Sequence, residues 1–243
     1  MKLLAIESAA LVASAALSED GAVSAEITLN TKLTHSQTLL PIIDELFART
    51  EWRPEDLDGI AVSAGPGSFT GLRIGAATAK ALGLAWGKPL IAVPTLDAMA
   101  FSLWGSRFLI CPIMDARRAQ VYTGLYRFEA DGTFTVLEKS AALSLEERLD
   151  GLRARGETVV FLGDGVPVFR KTIEGSLDGQ ALFAPSHVSR QRAAAVAALG
   201  AELLARGETV TPAAFAPFYL RISQAERERN ARLRQEEPTG GNV

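Results

Sequence analysis

The sequence predicts an α/β protein of two similar lobes, and three observations predict it. Two Asp-Gly pairs, Asp20-Gly21 and Asp131-Gly132, each sit between strand-like runs, where Asp-Gly suits the left-handed angles of a two-residue hairpin turn. Each half opens on an apolar strand that ends in an acid, Leu3 to Glu7 and then Phe108 to Asp115. Each then continues into a second strand, Leu11 to Ser18 or Val121 to Phe128, and turns at Asp-Gly into a third. The second half goes on to a helix, Leu145 to Ala154, and a strand, Thr158 to Leu162. This is an internally duplicated ββ(β)αβα unit. It divides the chain into a first lobe over 1–103, a second over 104–222 and a charged tail over 223–243.

In the first lobe the N-terminal run imitates a signal peptide, but Glu7 interrupts it and the alternation of small and large residues suits a hairpin. Between Ser36 and Arg49 the apolar residues Leu39, Leu40, Ile42, Ile43, Leu46 and Phe47 recur at helical spacing, with Pro41 expected in the first turn. The apolar strand Gly59 to Ser63 leads into Gly65 to Gly75, GPGSFTGLRIG, and then a helix over Leu72 to Trp86. That helix is rich in Gly and Ala, which let another element approach closely. Strand, glycine turn and helix together bring backbone N–H groups to a helix N-terminus, where they can take an anion or another backbone. Leu72-Arg73 stands where a Walker loop has its lysine and hydroxyl residue. Ser68 or Thr70 is expected to cap the helix, and Arg73, in its first turn, to need a partner.

Composition narrows the function. With 243 residues, 48% of them hydrophobic, the chain can bury a core, and a net charge of −3 gives no overall pull towards nucleic acid or anionic lipid. No run reaches the roughly 18 apolar residues of a membrane span. The single cysteine, Cys111, lies in an apolar run and fits a reducing cytoplasm as an inert buried thiol. Two histidines, His35 and His187, lie far apart with no cysteine near either, so no metal is expected. His35 is read as a capping or packing residue, and Asp97 as a helix N-terminal acid.

The literal residues add a resemblance. Leu4 to Ser8 (LAIES), His35 to Pro41 (HSQTLLP), GPGSFTGLRIG, Ile113 to Tyr122 (IMDARRAQVY) and Phe215 to Arg221 (FAPFYLR) follow in order along most of the chain. Together they resemble the TsaB family of bacterial tRNA threonylcarbamoyladenosine biosynthesis proteins, relatives of the actin and sugar-kinase ATPases. The resemblance implies a two-lobed actin-like (ribonuclease H-like) fold and a non-catalytic cytoplasmic subunit. Its partners would be a catalytic TsaD homologue and the ATPase TsaE, with tRNA met through the complex. Homodimerisation of the chain alone is a further expectation.

The residues agree with loss of chemistry. An ATPase of this fold wraps glycines around phosphate after each strand-ending acid. Here Glu7 is followed by Ser8-Ala9-Ala10 and Asp115 by Ala116-Arg117-Arg118, residues that resist the positive φ such loops use. Glu7, Asp115, Gly163 and Gly165 are therefore read as vestigial nucleotide-site positions. TsaD carries a paired-histidine motif after its glycine turn, and Pro94 to Trp104 has none. No catalytic residue is assigned, and no cofactor beyond a weak or interface-dependent nucleotide. The partner interface is placed on Leu39, Leu40 and Ile43 of one helix and Leu72, Arg73, Ala77 and Ala81 of the next. Gly65, Gly67, Ser68, Thr70 and Gly71 form the supporting turn. A nucleotide-dependent phosphotransferase, and a glycoprotease-like peptidase using Ser68 or Thr70, stay open as alternatives.

Overall fold

The computed structural model describes residues 1–221, so the charged tail expected over 223–243 lies outside the described residues. The first sheet holds β1 (Lys2–Glu7), β2 (Ala13–Glu19), β3 (Ala22–Leu29), β4 (Gly59–Gly65) and β5 (Leu90–Pro94), in the order β3-β2-β1-β4-β5. The second holds β6 (Leu109–Asp115), β7 (Gln120–Phe128), β8 (Phe134–Ser144), β9 (Val159–Leu162) and β10 (Ala181–Phe183), in the order β8-β7-β6-β9-β10. In each, the first three strands pair antiparallel as hairpins and the last two join in parallel. Identical order and sense in both sheets make the duplication visible. The two-lobed, actin-like plan is the observed fold.

Helices cover both faces of each sheet. α1 (His35–Thr50) and α2 (Phe69–Trp86) close one face of the first sheet around Leu4, Ile6, Leu39, Leu46 and Ile60. α4 (Leu145–Arg155) and α5 (Val166–Ser176) do the same for the second sheet around Cys111, Leu149 and Phe161. The remaining faces are covered crosswise. α3 (Thr95–Phe101) packs Leu96, Met99 and Ala100 against Ile110, Tyr126 and Phe128 of the second sheet. α6 (Ala193–Ala205) returns to the first sheet and packs Val196, Ala197 and Leu199 against Leu3, Ala5 and Ile91. Residues beyond Trp104 thus complete the core of the first lobe.

Local chemistry explains most boundaries. Asp20-Gly21 turns with φ of 49° and 83°, as a primed hairpin requires. α1 starts on a capping box between Thr34 and Gln37, one residue before the sequence reading placed it. Pro41 therefore lies in the second turn and not the first. Its missing N–H leaves the Gln37 carbonyl free on an exposed face, where water can take it. α2 starts at Phe69, three residues earlier than expected, because Ser68 caps it by accepting the Gly71 N–H at 3.3 Å. β5 and β10 were not anticipated, and α5 only as the last helix of the duplicated unit. They are short or lack clear periodicity, and the sheet they complete is what orders them. Among the described residues no helix is long and apolar enough to cross a membrane.

Candidate functional site

The ends of β1 and β6 meet the glycine turn at the mouth of the cleft between the lobes. At the first of these, Glu7 is 1% exposed. Its Oε1 accepts the Ala9 N–H at 2.6 Å, and the Ser63 hydroxyl and Ser8 N–H also stabilise the charged form. Burial outweighs these contacts and pushes the carboxyl up to about 7. The Ala9 carbonyl accepts the Ser68 N–H at 2.6 Å. Both backbone groups of Ala9 are thus engaged inside the protein.

The glycines of GPGSFTGLRIG exist for this contact. A Cβ at Gly67 would run into the Ala9 carbonyl, at Gly71 into the Ser8 carbonyl, and at Gly75 into the Ser8 hydroxyl. That hydroxyl donates to the Gly71 carbonyl at 2.9 Å. Gly65 has φ +120°, and a Cβ there would meet the Phe218 carbonyl. The loop therefore lies flat on the β1–β2 turn. His35 adds to the closure by donating its Nε2 proton to the Ala10 carbonyl at 2.8 Å.

The second strand-ending acid sits in a different turn. Asp115 accepts the Arg117 N–H at 2.7 Å, and Arg117, Arg118 and Ala119 all take positive φ, 66°, 57° and 55°. The expectation that residues carrying Cβ would keep this turn out of the left-handed region is overturned. The Asp115 carboxylate and the Ala116–Gln120 backbone bond, 3.0 Å, hold the turn there. Gly163 and Gly165 lie against the Ile113 carbonyl, with the Gly165 N–H donating to it at 2.9 Å. They let β9 and α5 approach β6. Between them, Asp164 has a buried Oδ1 with no hydrogen-bond partner.

The expected interface residues divide by burial. Leu39, Ile43 and Leu72 are 1%, 2% and 0% exposed and belong to the core, so none of them can be a contact residue. The apolar stripe of α1 was wide because the helix wedges between its sheet and α2. Leu40, Arg73, Ala77 and Ala81 are exposed, and Leu84 and Ala85 extend the same small-residue face of α2. Among the described residues Arg73 meets neither an anion nor a carbonyl. Its guanidinium lies 3.9 Å over the Phe69 ring, which packs on Tyr219 at 4.8 Å. Sequence reasoning missed this partner, although Phe69 and Arg73 at i, i+4 were the available signal. It also missed the final segment's path. The Phe218 N–H donates to the Ala64 carbonyl, Lys80 reaches the Ala213 and Phe215 carbonyls, and Arg221 reaches the Ala116 carbonyl. FAPFYLR therefore straps the glycine turn to both lobes.

Cys111 is fully buried beside Thr123 and burial raises its thiol, so it is an inert core residue. Asp97 lies in the first turn of α3, as expected, and also accepts the Tyr126 hydroxyl at 2.8 Å, joining the lobes. Among the described residues no group of three or more His, Cys, Asp or Glu is placed to hold a metal. The Ser68 hydroxyl accepts the Gly71 N–H, and His35 is committed to the Ala10 carbonyl.

The tRNA threonylcarbamoyladenosine biosynthesis protein TsaB of Bacillus subtilis is 33% identical over 228 residues, covering 93% of this chain and 96% of that protein. The chain belongs to the TsaB family. The Escherichia coli TsaB protein is 32% identical over 234 residues with the same coverage. The family model for TsaD, tRNA N6-adenosine threonylcarbamoyltransferase, matches residues 22–229, so the TsaB family chain shares its ancestry with that enzyme. A Pseudomonas aeruginosa protein described as similar to peptidase YeaZ superposes with a TM-score of 0.76. It is 27% identical, and the match covers 90% of this chain and 99% of that one. The glycine turn, its strap and the buried Glu7 are features of this chain.

Proposed function

We propose that the chain is a non-catalytic subunit in the formation of tRNA threonylcarbamoyladenosine. It pairs with a TsaD homologue in the cytoplasm, is joined there by a TsaE homologue, and meets tRNA through the complex. The observation that carries this reading is the closed β1–β2 turn. Its Ala9 N–H is held by Glu7 and its Ala9 carbonyl by the Ser68 N–H, so the residue at the centre of the turn offers no free donor to a phosphate. The kinship with TsaD and the names of the relatives supply the pathway.

The docking face is the outer side of α2, from Arg73 through Ala77 and Ala81, together with Leu40 of α1. Small exposed residues let a partner helix approach closely, and Leu40 and Leu84, 55% and 65% exposed, give it apolar area to bury. The same face can pair two copies of the chain when the partner is absent. Co-expression with the TsaD homologue followed by size-exclusion chromatography tests the pairing, and calorimetric titration with Mg-ATP tests the closed turn. A stable complex and no heat from the isolated chain are expected. A tight Mg-ATP site in the isolated chain would establish the phosphotransferase reading instead.

A further inference from the structure

The net charge of −3 conceals a local excess of the opposite sign at the mouth of the cleft between the lobes. Arg117 and Arg118 stand in the turn between β6 and β7, and both are exposed, Arg117 to 84%. Both take positive φ, 66° and 57°, a conformation that residues carrying Cβ enter only at a cost. The strap brings a third guanidinium to the same turn, since Arg221 donates to the Ala116 carbonyl at 2.7 Å. That bond uses one nitrogen of a group with five donors and leaves the others for a ligand. Arg117 and Arg221 line one cavity together with Asp115, Phe69 and Tyr219.

Nearby acids do not cancel this charge. Asp115 spends its carboxylate on the Arg117 N–H at 2.7 Å and meets the guanidinium only at 3.4 Å, a loose and solvated pair of little worth. The other acid of the cavity, Asp164, is raised by burial and offset by the nearby Arg190. Leu145, at the start of α4, bonds the Ala119 carbonyl of the turn, but Glu147 beside it is folded back on the Ser144 N–H and hydroxyl at 2.9 and 2.8 Å. Among the described residues neither Arg118 nor Arg221 has an ion-pair partner.

An aromatic ring stands beside these guanidiniums. Tyr219 is 38% exposed and rests on Phe69 at 4.8 Å, and Phe69 lies under the Arg73 guanidinium at 3.9 Å. Tyr219 is thus held by a packed neighbour while part of its ring stays open to solvent. Guanidiniums beside an open ring are how single-stranded nucleic acid is held, phosphates on the cations and a base on the ring. An acidic peptide would use the charges and leave the ring idle.

We propose that the strip from Tyr219 through Arg221 to Arg117 and Arg118 binds single-stranded RNA directly, its phosphodiesters on the three guanidiniums and one unstacked base on Tyr219. This deepens the role in tRNA modification proposed above, on which the choice of RNA over other polyanions rests. The strip adjoins the docking face at Phe69 and Arg73, so RNA and a partner on α2 can be held side by side.

The test is fluorescence titration of the full chain, without partner, against labelled oligouridylate, a duplex RNA and inorganic polyphosphate over a range of salt. Three phosphate contacts predict a slope of about −2 for log affinity against log salt with the single strand. Joint Arg117→Gln and Arg118→Gln substitution, at exposed positions where stability changes little, should reduce that slope to about −0.7. Tyr219→Ala should weaken oligouridylate by about ten-fold and leave polyphosphate unchanged, while Tyr219→Phe binds as wild type. Duplex RNA, whose bases stay stacked, should not sense Tyr219. Thermal unfolding reports the folding of each variant. An unchanged salt slope in the folded double variant would overturn the proposal. So would an absence of RNA binding at low salt, or an equal response of RNA and polyphosphate to Tyr219→Ala. Size-exclusion chromatography with the TsaD homologue separates the two readings, since pairing lost while RNA binding persists counts against the docking face alone.

Discussion

Glu7 shows how one residue can keep its position and lose its chemistry. The strand that ends in this acid was evident in the sequence, but its burial under the glycine turn was not, because the residues that cover it lie about 60 positions away. The folded chain holds the Glu7 proton to about pH 7, against an ordinary value of 4.5 in the unfolded chain. Between those values the folded state binds more protons, so stability falls as pH rises from about 4.5 to 7 and is level above. The contribution is bounded at about 3 kcal/mol. Denaturant unfolding across this range should show wild type losing stability relative to Glu7→Gln, and parallel curves for the two would contradict the buried, proton-holding carboxyl. Arg73, resting on Phe69, makes a second residue-scale case. Arg73→Ala should cost only about 0.5–1 kcal/mol of stability, the worth of an exposed cation–π contact. Its effect on reconstituted tRNA modification should be larger than that loss predicts; full modification activity would make the motif a turn and nothing more.

At the scale of the element, the glycine turn was the most conspicuous run in the sequence, and its pattern allowed either an anion cradle or a close backbone approach. The structure decides for the approach at Gly67, Gly71 and Gly75, each of which faces an oxygen of the β1–β2 turn. Gly71→Ala should therefore cost about 2–3 kcal/mol, the range for overpacking against atoms that cannot move aside. Gly151→Ala, in α4 with nothing within 4 Å of the added Cβ, should be neutral or stabilise by up to about 1 kcal/mol. Thermal unfolding of the pair checks the difference; equal melting points would mean the loop is not packed as described. Helical spacing made α1 recognisable and the glycine turn made α2 recognisable, yet both helices start earlier than that pattern places them. A Thr34–Gln37 box and a Ser68 cap act through side-chain geometry, which periodicity does not report.

At the scale of the whole molecule, the proposed docking face separates into residues that hold the lobe and residues that can meet a partner. Ala77→Arg or Ala81→Glu should leave the melting temperature of the isolated chain within the small range of surface changes. Either should weaken pairing with the TsaD homologue by orders of magnitude, because an unpaired charge buried in an interface costs several kcal/mol. Leu72→Ala should instead destabilise the isolated chain by about 2–5 kcal/mol. Analytical ultracentrifugation of each variant with and without partner distinguishes the two classes, and full pairing by both charge variants would move the interface elsewhere. The sequence by itself determined the duplicated α/β plan, the acid at the end of each first strand and the glycine turn, because hairpin chemistry and hydrophobic period are local. It also determined the family, through short motifs whose residues are read without their neighbours. Only the tertiary structure decided that α6 completes the first lobe, that Leu39, Ile43 and Leu72 are core, and that Glu7 is sealed in. Those facts depend on which surfaces distant segments cover, and burial is a property of the packed chain that no local pattern carries.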